Sequence, residues 1–196
     1  MLDKIFNKKL DPQQQSEKRM RALKGSDSAN LAASLLTAPT ALMQLSAQEA
    51  KVVVSYMQPK KIAEGTVFIK EGDARDTGYM MLVLDGEVTV ENIVVSRTSA
   101  VTVNVLGPGS LIGEMGLVDG EPRSATCTAT SNVHCAILSR EALEKLMNDE
   151  PHIGGKLMMA VSLRIAQRLR ETADKLKLYA QLTQAMQQEI DKLMPS

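Results

Sequence analysis

Hydrophobic and polar positions change texture three times along the chain. Up to about Ala47 the sequence is polar and rich in Gln and Lys, then Ala/Leu-rich through "NLAASLLTAPTALMQL", with breaks at Gly25 and Pro39. One or two short helices on a flexible lead are expected there. In "LSAQEAKVVVSYM" Ser46 is followed three residues later by Glu49, the spacing of a capping box, and a helix is predicted that ends at Pro59. From Lys61 to Leu138 the chain breaks into short β-type runs, "KIAEGTVFIKEGD", "GYMMLVLDGEVTVENIVV", "AVTVNVLGPGS" and "SATCTATSNVHCAILS". They lie too close together for crossover helices, so an antiparallel sandwich or small barrel is predicted rather than βαβ units. Alternation in "VTVEN" and "TCTAT" puts one side of each strand inside. After Ser139 the period becomes helical. "SREALEKLMNDEP" is capped by Ser139 and stops before Pro151, and an unbroken helix is predicted from about Gly154 to Leu193.

Steps of four and three residues along that last helix pick out Ile165, Leu169, Thr172, Leu176, Tyr179, Thr183, Met186, Ile190 and Leu193. This is a mostly apolar seven-residue repeat, sustained over about four heptads. Roughly thirty-five residues at ~1.5 Å each outrun a domain of this size. Such a helix is expected to need a partner helix, and a parallel homodimer through this coiled-coil seam is favoured over a helix lying on its own domain. Thr172 and Thr183 are the polar interruptions of the seam.

Composition narrows the classes. With 196 residues the chain has room for one packed domain plus an extension, without disulfide support. Lys plus Arg and Asp plus Glu number 23 each, so no net charge favours nucleic acid or an anionic membrane, and any anion site must be local. Cys127 and Cys135 lack metal or redox spacing and read as reduced core thiols. No apolar run is long enough to span a bilayer, and "MLDKIFNKKLDPQQQSEKRMR" contains no signal-peptide core; a cytoplasmic protein is expected.

The chemistry concentrates in "GEMGLVDGEPRSAT", Gly113 to Thr126, where Glu114 and Arg123 stand nine positions apart among glycines and small residues. Gly107, Gly109 and Gly113 permit tight turns and close backbone approach. Backbone N–H groups at the start of a short helix near Glu114 are suited to a phosphate oxygen. Arg123 supplies paired charge-assisted hydrogen bonds to the same phosphate. Glu114 repels a phosphate but accepts from a ribose hydroxyl. One ligand with an anionic end and a hydroxyl-bearing end satisfies both, whereas a surface Glu–Arg pair is the bland alternative.

These residues resemble the cyclic-nucleotide-binding domains, the family that includes the bacterial cAMP receptor proteins and the regulatory subunits of cAMP-dependent kinase. The resemblance runs from about Leu45 to Leu178. It rests on "IKEGD" (Ile69 to Asp73), "LVLDGEVTV" (Leu82 to Val90), "LGPGSLIGEMGLVDGEPRSAT" (Leu106 to Thr126, the phosphate-binding cassette) and "SLRIAQRLRETADKL" (Ser162 to Leu176). It implies an α+β chain: an antiparallel, jelly-roll-like β-roll flanked by helices, with a long C-terminal helix. The expected division is an N-terminal extension over 1–44, the roll over 45–155 and the helix over 156–196. It further implies that Glu114 accepts from the ribose 2′-hydroxyl, that Arg123 pairs with the cyclic phosphate, and that Gly113, Met115, Ser124 and Ala125 complete the ligand site. Thr172 falls where the bacterial activators hydrogen-bond the adenine. Ala173 stands where those activators carry a serine that reaches the other subunit's ligand, and Ile112 replaces the usual phenylalanine before "GE".

A cyclic-nucleotide receptor, with cAMP as ligand and cGMP or cyclic di-GMP as alternatives, is therefore expected, with no metal and no enzymatic activity. Ligand is expected to draw the cassette inward and change the C-terminal helix. Where the bacterial activators place a helix-turn-helix, "KLKLYAQLTQAMQQEIDKLMPS" continues the helix, so the output is expected to pass to an effector protein rather than directly to DNA. "LDKIFNKKL", "SEKRMRALK" and the end of the long helix are candidate docking surfaces for that partner. A cupin-like metalloenzyme lacks its ligands, since only His134 and His152 are available. Asp73, Asp85 and Asp119 beside glycines read as turn formers. The second reading is a dimeric scaffold of the same fold that has lost the mononucleotide or exchanged it for cyclic di-GMP, and a third, weaker one is an enzyme with a cryptic site.

Overall fold

A computed structural model describes residues 12–23, 25–38, 45–93 and 100–193. The candidate docking segment "LDKIFNKKL" lies outside these residues. Three helices come first, α1 (Pro12–Leu23), α2 (Asp27–Leu36) and α3 (Ala47–Val54). Eight strands follow: β1 (Gln58–Ile62), β2 (Val67–Ile69), β3 (Tyr79–Asp85), β4 (Val88–Ile93), β5 (Ala100–Leu106), β6 (Leu111–Ile112), β7 (Thr126–Ala129) and β8 (Val133–Ser139). A short helix α4 (Glu114–Asp119) interrupts them between β6 and β7, and α5 (Arg140–Asp149) and α6 (Pro151–Leu193) close the described chain.

The strands form two four-stranded antiparallel sheets, ordered β1-β8-β3-β6 and β2-β7-β4-β5. This is the antiparallel β-roll with flanking helices and a long C-terminal helix. Side chains alternate across β7, where Cys127 and Ala129 are buried and Thr126 and Thr128 are half-buried; the two buried residues belong to the core. With Ile62, Ile69, Met81, Val83, Val88, Val90, Ile112, Val133 and Cys135 they make one apolar core between the sheets. On β3 the intervening Met80 and Leu82 are fully buried as well, and α2 packs against this strand. Both faces of β3 are therefore covered, which is why "MMLVL" is a continuous apolar run.

Two prolines mark differences from the sequence reading. Pro59 does not end a helix; it lies inside β1, which among the described residues is the edge strand of its sheet, the position where a strand tolerates proline. Pro151 does not separate α5 from a later start near Gly154 but is the first residue of α6, where the absent N–H is one that the helix leaves unpaired anyway. At the α5–α6 junction a Cβ on Gly154 would come 2.9 Å from Met147 Cα, so the two helices are in contact there.

The chain divides into two compact units, Met1–Val161 and Ser162–Ser196. Within the first, Arg19 of α1 donates to the Tyr56 hydroxyl and to Asp149 Oδ2 (2.9 Å), and Tyr56 donates to the same carboxylate (3.0 Å). The Arg19 guanidinium also lies 4.2 Å from the centre of the Tyr56 ring. Burial, and after it the Asp149 carboxylate, pushes the Tyr56 hydroxyl's pKa up, which keeps it a donor. Arg19, one cation of the expected docking stretch "SEKRMRALK", is thus engaged in holding α1 against α3 and α5.

The capping box of α3 is formed: Glu49 N–H donates to Ser46 Oγ, and Ser46 N–H donates to Glu49 Oε2 (2.8 Å). Lys156 of α6 adds an ion pair at 2.6 Å to the other carboxylate oxygen. The Lys156 hydrogen bond first, and the Ser46 N–H second, hold the Glu49 carboxyl down at about 2 from its ordinary 4.5. A depressed carboxylate pKa stabilises the folded state above the unfolded value and loses that contribution as the pH falls through the folded one. Between about pH 4.5 and 2 the wild type is therefore expected to lose more stability than Glu49→Gln, measured as the urea midpoint against pH. Parallel curves for the two proteins would contradict this role.

Candidate functional site

The frame of the site is a pairing between two turns. Gly72 N–H donates to the Arg123 carbonyl (2.8 Å) and Arg123 N–H donates to the Asp73 carbonyl (3.0 Å), so "IKEGD" and the run into β7 are hydrogen-bonded together. Glu71 N–H donates to Thr126 Oγ1 at 3.1 Å, extending the contact by one residue. The Asp73 carboxylate accepts from the Arg75 backbone and guanidinium, which holds its carboxyl below the usual range. Asp73 is thereby a turn former, and the turn it shapes fixes the backbone of Arg123.

Helix α4 carries the other half. It opens at Gly113, whose φ of 81° is a left-handed conformation that favours glycine, and it ends at Gly120. A helix this short leaves most of its terminal groups without helical partners. At its C-terminal end Thr77 Oγ1 donates to the Gly120 carbonyl (3.0 Å) and Arg140 Nη2 to the Gly116 carbonyl (2.9 Å). The start of α5 and the loop before β3 therefore hold α4 in place.

Between these halves Arg123 is buried, with 6% of its surface exposed. Nε and Nη2 donate to the Asp76 carbonyl (3.2 and 2.9 Å), Nη1 and Nη2 to the Tyr79 carbonyl (both 3.3 Å), and Nη1 to the Gly113 carbonyl (3.2 Å). The guanidinium stacks on the Tyr79 ring, 4.3 Å from its centre. Tyr79 itself is anchored through its hydroxyl, which donates to the Phe68 carbonyl at 3.3 Å, and burial pushes its pKa up.

Glu114, the first residue of α4, is also buried, with 1% exposed. The structure thus brings half-buried Gly113 together with buried Glu114 and Arg123. Met115 and Ser124 are exposed and Ala125 is half-buried, beside them in sequence. Thr172 belongs to the second unit, where its hydroxyl donates to the Arg168 carbonyl at 2.8 Å. Sequence reasoning missed Asp76, Thr77, Tyr79 and Arg140, which meet the cassette through backbone carbonyls and across long sequence separations. The one available sign was an aromatic residue heading the strand "YMMLVLD".

Among the described residues no group of three or more His, Cys, Asp or Glu side chains could hold a metal ion, and no helix is long and apolar enough to cross a membrane. His134 and His152 are both exposed. Cys127 and Cys135 are buried thiols, and burial pushes the Cys135 thiol's pKa up.

Two antiparallel sheets, with a glycine-opened helix between β6 and β7 that carries a buried glutamate, and a buried arginine beyond it, form a β-roll. The model of the cyclic nucleotide-binding domain matches residues 59–150, and the chain belongs to that family. It is similar to the crystal structure of a cyclic nucleotide-binding domain from Methylobacillus flagellatus, at 30% identity and a TM-score of 0.66, covering 77% of this chain and 83% of the other. It is 29% identical to the cAMP-dependent protein kinase regulatory subunit of Candida albicans, over 77% of this chain and 31% of the relative. It is 27% identical to a CRP-like cAMP-activated global transcriptional regulator of Mycobacterium tuberculosis, over 61% of this chain and 50% of the relative. The chain therefore spans half or less of the length of these two relatives.

Proposed function

We propose that the protein is a cAMP receptor module, not an enzyme, that changes its C-terminal helix on binding ligand and signals through a partner protein. The observation that carries this reading is the joint burial of Glu114 and Arg123 within the cassette, in a family defined by binding cyclic nucleotides. A buried guanidinium suits a phosphate because paired charge-assisted hydrogen bonds are strong where water is excluded. A buried carboxylate suits a ribose hydroxyl, which has a proton to donate. The names of the relatives, one cAMP-dependent and one cAMP-activated, favour adenine as the base. In this proposal Gly113, Met115, Ser124 and Ala125 border the phosphate and Thr172 serves the base.

Calorimetry with cAMP, cGMP and cyclic di-GMP tests the reading. Saturable binding of one cAMP per chain, tighter than cGMP, is expected. No heat with any of the three would leave the ligand-free scaffold. Hydrogen exchange along α6 with and without cAMP tests the switch, because a ligand shifts an equilibrium only by its preference for one state. Unchanged protection at saturation would refute it.

Self-association is the other part of the proposal. In the second unit Leu169 and Leu176 are each 70% exposed, and Tyr179, Met186, Ile190 and Leu193 on the same heptad seam are exposed too. Both seam threonines satisfy their hydroxyls on the preceding turn, Thr172 on the Arg168 carbonyl and Thr183 on the Tyr179 carbonyl. An apolar stripe of this kind in water favours a second copy. Light scattering is expected to give a dimer for the wild type and a monomer for Leu169→Glu/Leu176→Glu. A monomeric wild type at micromolar concentration would contradict the coiled coil.

A further inference from the structure

An arginine has five N–H donors, and all five of those on Arg123 point at backbone carbonyls, two at Asp76, two at Tyr79 and one at Gly113. The guanidinium is therefore satisfied in full by its own protein. An incoming phosphate obtains a bidentate grip only after some of these N–H groups leave their carbonyls. The glycines of the cassette fit this withdrawn position. A Cβ on Gly113 would lie 2.7 Å from Arg123 Nη1, and one on Gly116 3.0 Å from the same atom. A side chain also holds the guanidinium, that of Tyr79, through its ring face at 4.3 Å, with that ring tethered by its hydroxyl to the Phe68 carbonyl.

We infer that Tyr79 is a positioning residue of the cassette: it holds Arg123 withdrawn and so raises, by one common factor, the affinity threshold for every phosphate ligand, which a bare phosphate anion fails to clear and a ligand with further contacts clears. This rests on the reading that Arg123 receives the ligand's phosphate. Release of the guanidinium exchanges neutral carbonyl acceptors and a ring face for an anion, and charge-assisted bonds are the stronger ones. Part of the intrinsic affinity goes into populating the released state, so the apparent dissociation constant is the intrinsic one divided by the fraction released. Inorganic phosphate has only the guanidinium and nearby N–H groups to gain. A cyclic nucleotide also has Glu114 for its ribose and the base contacts, which carry it over the same threshold.

The test is a competition. Binding of cAMP is titrated with and without a large excess of inorganic phosphate, at constant ionic strength, for the wild type, Tyr79→Phe and Tyr79→Leu. Loss of the ring face, a contact of the size cation–π pairs have, is expected to make Tyr79→Leu bind cAMP about 2- to 30-fold more tightly and to make it sensitive to phosphate. Tyr79→Phe, which keeps the ring, is expected to stay within about twofold of the wild type and insensitive to phosphate. Equal or weaker cAMP binding by a folded Tyr79→Leu would overturn the inference. So would phosphate competing effectively with cAMP on the wild type, a result that depends on no variant. Arg123→Ala separates the levels: if it binds cAMP like the wild type, the assignment of Arg123 itself fails. A wild type that binds no cAMP overturns both.

Discussion

Arg123→Ala is expected to weaken cAMP binding by roughly two to three and a half orders of magnitude, equivalent to about 3–5 kcal/mol for removing one partner of a buried charged pair. The size follows from burial: with 6% of its surface exposed, the guanidinium meets a phosphate away from competing water. Stability falls as well, because the carbonyls of half-buried Tyr79 and Gly113 lose the donors described above, at about 1–3 kcal/mol for each left without a partner, whereas exposed Asp76 can turn to water. The two effects are separable. Calorimetry is performed below the variant's melting transition, and Arg123→Lys, which keeps the charge but not the planar fork, is expected to fall between alanine and wild type. A folded Arg123→Ala with wild-type affinity would remove the guanidinium from the site.

Gly86→Ala is expected to be the most damaging small substitution to the roll. Gly86 has φ at 90°, and a Cβ built on it lies 2.4 Å from the Asn132 carbonyl oxygen and 3.0 Å from Val133 Cα, both backbone atoms that cannot rotate away. Left-handed strain of about 1–2 kcal/mol adds to an overpacking term of about 1–3 kcal/mol. A fall in melting temperature on the order of 10 °C follows for a chain of this size. Gly65 is the control: its φ is 78°, but a Cβ there meets nothing within 4 Å, so Gly65→Ala carries the backbone strain alone. Equal melting temperatures for the two variants would show that the close approach of "LDG" to the β7–β8 turn is not the reason for glycine at position 86.

These cases show which parts of the molecule were open to reading in the chain. The alternating runs located the sheets because one face of each strand is buried, and the Ser46 and Ser139 caps located two helix starts because those signals are local. Glu114 and Arg123 stood out because opposite charges among glycines are unusual, and both are buried in the structure. Pro59 and Pro151 misled because a proline ends a helix only where its N–H is needed, and neither an edge strand nor a first helical turn needs it. Asp76 and Arg140 left no trace, and Tyr79 only its aromatic ring at the head of a strand, because their contacts run through main-chain carbonyls and link residues 24 to 47 positions apart. Arg19 read as surface charge, yet it pairs with a carboxylate 130 positions away, which no local pattern encodes.

The most direct measurement is a crystal structure of the wild type grown with cAMP. The expected result is the cyclic phosphate within hydrogen-bonding distance of the Arg123 guanidinium, with at least one of its N–H groups released from the Asp76, Tyr79 or Gly113 carbonyls, and the ribose on Glu114. Nucleotide bound elsewhere on the protein, with every one of those carbonyl bonds intact, would contradict the account.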